Sequence, residues 1–124
     1  MSETVRYKQI EEKIIVIRDL PVILVNDVAE LYEVETREIN QAVKNNPAKF
    51  PKGYIIEITN DEKQEVIKNF DNPKIKYSPT LPKAFTEKGL YMLATILKGE
   101  KATQTTIEIN FALMKFKHTV RRKK

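Results

Sequence analysis

The 124-residue chain carries 41% apolar residues, 3 glycines and a formal charge of +5, from 22 basic and 17 acidic side chains. That is enough for one folded domain with a sizeable core, and no apolar run approaches the 18 or more residues of a membrane span. The chain has no cysteine, which excludes disulfides and thiolate metal sites.

The charge is unevenly spread. Lys115, Lys117, Arg121, Arg122, Lys123 and Lys124 place +6 on residues 112–124, where there is no acid, so the rest of the chain sums to −1. A second basic group, Arg37, Lys44, Lys49 and Lys52, is opposed only by Glu38 between Thr36 and Ile56. Basic clusters beside a reading element suit phosphate contact. A solubilising tail is the plainer account of the last four residues. The N-terminal MetSerGluThrValArgTyrLys lacks the apolar stretch of a secretion signal, so a cytoplasmic protein is expected.

In chain order, Ile14–Arg18 and Val22–Val25 are rich in β-branched residues and flank Asp19–Leu20–Pro21, which predicts two short strands joined by a turn. Residues 25–45 then read as two short helices and a tight turn, the outline of a helix-turn-helix. Helices crossing steeply need a small residue at their contact, and Ala29 supplies it. Val28, Tyr32, Val34, Ile39 and Ala42 fall where apolar residues would seal the angle. Asn26 and Thr36 are suitable N-caps. Glu33 stands where the turn calls for positive φ and usually for glycine, which implies about 1 kcal/mol of strain or a different turn geometry. An αα-hairpin with a solvated outer face is the plainer account of the same pattern.

Asn45–Asn46–Pro47 ends the second helix, because the residue before proline avoids helical geometry. Residues 50–54 form a turn and TyrIleIleGluIle (54–58) a strand, belonging to a wing or to a small sheet behind the helices. Thr59 and Glu62 make a capping box for a helix over 60–70 with Val66, Ile67 and Phe70 inward. Pro73, Pro79 and Pro82 mark residues 71–84 as a loop, with a short strand near 76–78. Thr86 caps a further helix running to Lys98, Phe85 staples it against Leu90, and Gly99 ends it in a left-handed turn.

The last helix, about 103–120, is apolar on two sides. Ile107, Phe111 and Met114 share one; Ile109, Ala112, Leu113, Phe116 and Val120 share the other. One side covers the chain's own core and the other needs a partner. A homodimer is expected, with Ile109, Leu113, Phe116 and Val120 at its interface. The fold expected is α+β: a small antiparallel sheet, a winged-helix-like helix-turn-helix and C-terminal helices, in one domain spanning 1–124.

Three blocks occur in order. They are residues 20–46, which contain the helix-turn-helix; LysPheProLysGlyTyrIleIleGluIleThr (49–59); and LysAlaPheThrGluLysGlyLeuTyrMetLeuAlaThrIleLeu (83–97). Together they resemble the ORF-6-N domain of phage antirepressor-like proteins, which is related to the KilA-N and Bro-N domains, and the likeness spans roughly residues 10–118. The resemblance implies a DNA-binding domain of phage or prophage origin, within a bacterial regulator. It carries over Asp27–Tyr32, Thr36–Asn46, Phe50–Pro51 and Phe85–Gly89, and departs at Glu33, where the family usually has glycine. The further C-terminal domain that many phage antirepressors carry is absent, so a complete regulator and one module of it both fit.

On this reading Thr36, Arg37, Asn40 and Gln41 face base edges, since Asn and Gln amides pair with adenine and Arg with guanine. Lys44, Lys49, Lys52, Arg121 and Arg122 meet phosphates. No cofactor or metal is expected. His118 is the chain's one histidine, and capping accounts for PheThrGluLysGly (85–89), so an enzyme is not expected. The competing function is a protein-interaction module that inactivates a repressor by direct contact without binding DNA.

Overall fold

The computed structural model describes residues 3–70 and 82–122, and the strand expected near 76–78 lies outside them. Helix α1 (Glu3–Glu11) leads into strands β1 (Ile14–Ile17) and β2 (Leu20–Leu24), followed by helices α2 (Val25–Tyr32) and α3 (Thr36–Asn45). A single 3₁₀ turn (Pro47–Lys49) and strand β3 (Ile55–Glu57) come next, then helix α4 (Asn60–Phe70), strand β4 (Lys83–Thr86), helix α5 (Glu87–Ala94) and helix α6 (Glu100–Arg122). The sheet is antiparallel with strand order β1-β2-β4-β3. The class is α+β, as the pattern of elements predicts, and β3 joins the sheet that backs the helices.

Register explains how the sheet separates two apolar clusters. Ile14 pairs with Ile23, Ile23 with Phe85, and Phe85 with Ile55, which makes one row across all four strands. This row packs into a cluster with Ile10 of α1, Val28 and Leu31 of α2, Ile39 of α3, Leu90 of α5, and Ile109 and Leu113 of α6. Alternation sends Ile15, Val22, Leu24, Ile56 and Ala84 to the other face, where Val66 and Ile67 of α4 cover them. The side chain of Phe70, expected inward as well, lies outside the described residues.

Several boundaries differ from the sequence expectation. The β1–β2 turn is Arg18–Asp19, both at positive φ (55° and 63°), and not Asp19–Pro21. Two such residues give the twist that a two-residue hairpin requires. Pro21 is tolerated within β2 because it lies outside the ladder with β4, which begins at Val22. Strand β4 is the largest departure, since residues 83–86 were expected as loop and helix preamble. Phe85 still precedes the cap, but it is first a core residue of an inner strand. Helix α5 stops at Ala94, four residues early: Thr95 N–H bonds back to the Met92 carbonyl and Ile96 N–H to that of Leu93, tightening the last turn. Gly99 does have positive φ (108°), but its carbonyl accepts from Thr103 N–H, so it opens α6 and does not close α5.

The capping box at α4 forms in both directions. Thr59 N–H donates to Glu62 Oε1 at 2.9 Å and Glu62 N–H to Thr59 Oγ1 at 3.2 Å. Arg18, at the hairpin tip, donates Nε and Nη2 to the same Glu62 carboxylate at 2.9 and 3.0 Å, and Nη2 also reaches the Glu57 carbonyl. The Arg18 hydrogen bond, helped by that of Thr59 N–H, holds the Glu62 carboxyl down at about 2. A lowered folded-state pKa stabilises above the unfolded value and is lost as pH falls through the folded one. The stability advantage of wild type over Glu62→Gln is therefore expected to shrink as pH drops from about 4.5 towards 2. Urea midpoints measured across that window check it; a gap independent of pH would mean that Arg18 does not hold the charged form.

Candidate nucleic-acid interface

Helix α2 begins directly where β2 ends. Its N-cap is Leu24, which offers no side-chain acceptor, and Asn26 lies inside the first turn and not at the cap. At the other end Glu33 adopts φ 58°, ψ 43°, the left-handed conformation, which is the first of the two alternatives the sequence left open there. Glu33 N–H bonds to the Glu30 carbonyl and Val34 N–H to that of Ala29. This pair of bonds satisfies the carbonyls at the helix end and turns the chain sharply. Ala29 is buried, as are Val28, Tyr32 and Ile39, while Val34, Ala42 and Val43 pack against the same cluster. The apolar seal between the two helices therefore forms as the spacing predicted.

Glu33 also pairs with Lys101 of α6. Glu33→Gly is expected to raise stability by about 0.5 kcal/mol: about 1 of relieved left-handed strain, less an exposed ion pair worth ~0–1. A higher urea midpoint with an unchanged m-value is the check; a lower midpoint would mean that the pairing outweighs the strain.

The N-cap of α3 is Glu35, with extended backbone (φ −75°, ψ 147°), whose carbonyl accepts from Glu38 N–H at 2.9 Å. Thr36 is consequently the first helical residue and not the cap, and its exposed side chain is not taken up by capping. Thr36, Arg37, Asn40, Gln41 and Lys44 are all exposed. At about 100° per residue they fall within an arc of ~140°, opposite the buried Ile39.

The five differ in how occupied they are. Arg37 Nε pairs with Glu35 Oε2 at 3.0 Å, and Gln41 Nε2 donates to Asn45 Oδ1 at 2.9 Å. Both contacts are solvent-exposed, so each is weak and readily exchanged. The side chains of Asn40 and Lys44 make no hydrogen bond or ion pair among the described residues. Glu35 and Glu38 border the row, so its surface has mixed charge. Beyond Lys44 the chain passes through the 3₁₀ turn, and Lys49 and Lys52 are both exposed there.

The 50–54 turn is clamped from behind. Thr86 Oγ1 donates to the Gly53 carbonyl at 2.8 Å or the Tyr54 carbonyl at 3.0 Å, and it accepts from Gly89 N–H at 3.3 Å as the cap of α5. Thr86 N–H bonds to the Tyr54 carbonyl as well. The PheThrGluLysGly block thus fixes the segment that carries Lys52. Sequence reading found the cap but missed this clamp, because the two partners lie more than thirty residues apart.

The interface assigned to α6 needs correction. Ile109 and Leu113 are each 1% exposed and sit in the chain's own core, with Phe116 partly buried against it. Ile109 and Leu113 cover the sheet and helices of their own chain and cannot also meet a second subunit. The side left open holds Ile107, Phe111 and Met114, at 53%, 46% and 68% exposure. The side chains of Val120, Arg121 and Arg122 lie outside the described residues.

A family model described as ORF6N domain matches residues 12–96, more than half of the chain. The match covers the sheet, α2 to α5 and the clamp, and stops before α6. No curated protein and no solved structure matches the chain.

Proposed function

The chain belongs to the ORF6N domain family, and from that membership and the surface of α3 we propose that it is a sequence-specific, double-stranded DNA-binding domain of a phage- or prophage-type, antirepressor-like transcriptional regulator. One observation carries the reading: α3 buries Ile39 and turns Thr36, Arg37, Asn40, Gln41 and Lys44 to solvent on a single arc. A helix held by its apolar edge, with amides and cations outward, has the shape and chemistry to enter a major groove. Asn40 and Gln41 read adenine, the latter by exchanging its contact with Asn45. Arg37 reads guanine after leaving Glu35. Lys44, Lys49 and Lys52 neutralise phosphates and set register without reading sequence. No helix among the described residues is long and apolar enough to cross a membrane, and the reading places the protein in the cytoplasm with the nucleic acid.

Selection of bound sequences from random duplex DNA at two ionic strengths tests the proposal. Enrichment of a defined site, with affinity falling steeply as salt rises, is the expected result. Absence of both enrichment and salt-dependent binding would end it. Lys49→Ala is expected to weaken binding to cognate and random DNA alike and to reduce the log–log salt slope by about 0.9, the contribution of one phosphate. Titrations at several salt concentrations measure it, and an unchanged slope removes Lys49 from the interface.

The second reading is a module that inactivates a repressor by direct contact. It draws on the exposed apolar side chains of α6, which DNA does not require. Tight binding to a repressor with no shift of duplex DNA would favour it.

A further inference from the structure

We propose that α6 joins two copies of this chain as an antiparallel helix pair, through the side opposite the one that builds its own core. Gln104, Ile107, Phe111, Met114 and His118 recur at alternating steps of three and four residues, the seam spacing of a helix that packs against another helix. The middle three are apolar and about half exposed or more. Phe111 is held in place, its ring stacked on Tyr7 of α1 with centroids 4.9 Å apart. An ordered aromatic anchor of this kind loses little freedom when a partner covers it.

Charge along the same helix selects the occupant and its direction. The seam runs between two grooves. The one at the N-terminal half is lined by Glu33, Glu100 and Glu108, with Lys101 as its only cation. The one at the C-terminal half is lined by Phe111, Met114, Lys115, Lys117 and His118, with no acid among the described lining residues; Lys117 is paired with Glu87 of α5 at 3.0 Å, which leaves Lys115 as the unengaged cation among them. A second copy laid antiparallel brings each basic groove onto the other copy's acidic one, twice by symmetry, while a parallel copy opposes like with like. A surface that complements itself under a two-fold axis is the mark of an isologous dimer. A repressor would have to supply the matching polarity independently, so a second copy is the favoured occupant.

The pairing has a consequence for the reading helix. Tyr32 at the end of α2 shares a 2.6 Å hydrogen bond with Thr106 Oγ1, and Lys101 pairs with Glu33 at the α2–α3 turn. The axis of the α6 pair would then fix the relative placement of the two α3 helices, and with it the spacing of two half-sites. That consequence rests on the DNA reading; the dimer does not.

Sedimentation velocity on the full chain is expected to give twice the 14.4 kDa mass, with dissociation promoted by salt. Met114→Glu, at a side chain that is mostly exposed, is expected to halve the mass while circular dichroism retains the helix content. Because the chain has no cysteine, orientation can be read from crosslinking. Gln104→Cys and His118→Cys chains, lying about 21 Å apart along one helix, should form a mixed disulfide with each other and none with themselves. A wild-type monomer at all concentrations, a dimer that survives Met114→Glu, or self-crosslinking at position 104 would overturn the proposal. DNA selection leaves this result untouched, so failure of one claim is distinguishable from failure of the other.

Discussion

Gly89→Ala is expected to destabilise the fold by about 3 kcal/mol, the upper end of what overpacking a well-filled interior costs. A methyl group at Gly89 would sit 2.0 Å from the Tyr54 carbonyl oxygen, with the Tyr54 carbonyl carbon at 3.0 Å and Phe85 Cδ1 at 3.1 Å. The nearest obstacle is backbone, which cannot rotate away as a side-chain end can. Tyr54 is also not free to retreat, because its carbonyl accepts from Thr86 N–H and lies 3.0 Å from the Thr86 hydroxyl. Moving it sacrifices those bonds, each worth about 1 kcal/mol net. Alanine's better helix propensity returns at most about 1 kcal/mol. Thermal and urea denaturation measure the loss, with Lys88→Ala as control: an exposed neighbour on the same helix, expected within about 0.5 kcal/mol of wild type. A Gly89→Ala chain as stable as that control would mean that the approach of α5 to Tyr54 is looser than the geometry says.

The same residues show what the sequence made legible. Spacing and capping are local: spacing located α2 and α3 and marked Glu33 as the turn residue, and the capping box located α4, while the caps expected at Asn26 and Thr36 fall inside their helices. The Thr59–Glu62 box needs only four residues to be recognised, and the apolar positions of α2 and α3 need only the helical period. What the sequence hid was non-local. Strand β4 is four residues long, and its place between β2 and β3 is fixed by Ile23 and Ile55 pairing with Phe85, 62 and 30 residues earlier in the chain. Helix α1 has a polar sequence in which Ile10 alone is fully buried among the described side chains. No amphipathic stripe announces it, and packing on α6 supplies its stability. On α6 both apolar sides were visible, but periodicity could not tell which one the chain would bury itself. The side bearing Ala112 faces inward because that small residue lets α6 approach the core, where it is fully buried. Ile109 and Leu113 were assigned to an interface for want of that information, and both are buried within their own chain.

Asn40→Ala is expected to remove about 1–3 kcal/mol of discrimination at one base pair, the value of a paired amide–adenine contact, and to leave the remaining positions of the site unchanged. Among the amides of the row, Asn40 is the one with no partner in the described structure, so its two hydrogen bonds to a base displace nothing within the protein. Gln41 must first give up Asn45, and Arg37 must give up Glu35, so their truncations should read smaller. The side chain is exposed and caps nothing, so folding stability should stay within about 0.5 kcal/mol of wild type, and any loss of discrimination can be assigned to recognition. Measuring affinities for a set of sites differing at single positions separates the outcomes. A flat response at one position and a preserved one elsewhere places Asn40 against that base pair. Equal losses on cognate and random DNA would instead make Asn40 a backbone contact. An unaltered specificity profile would remove the middle of α3 from the groove and with it the main support for a reading helix in this fold.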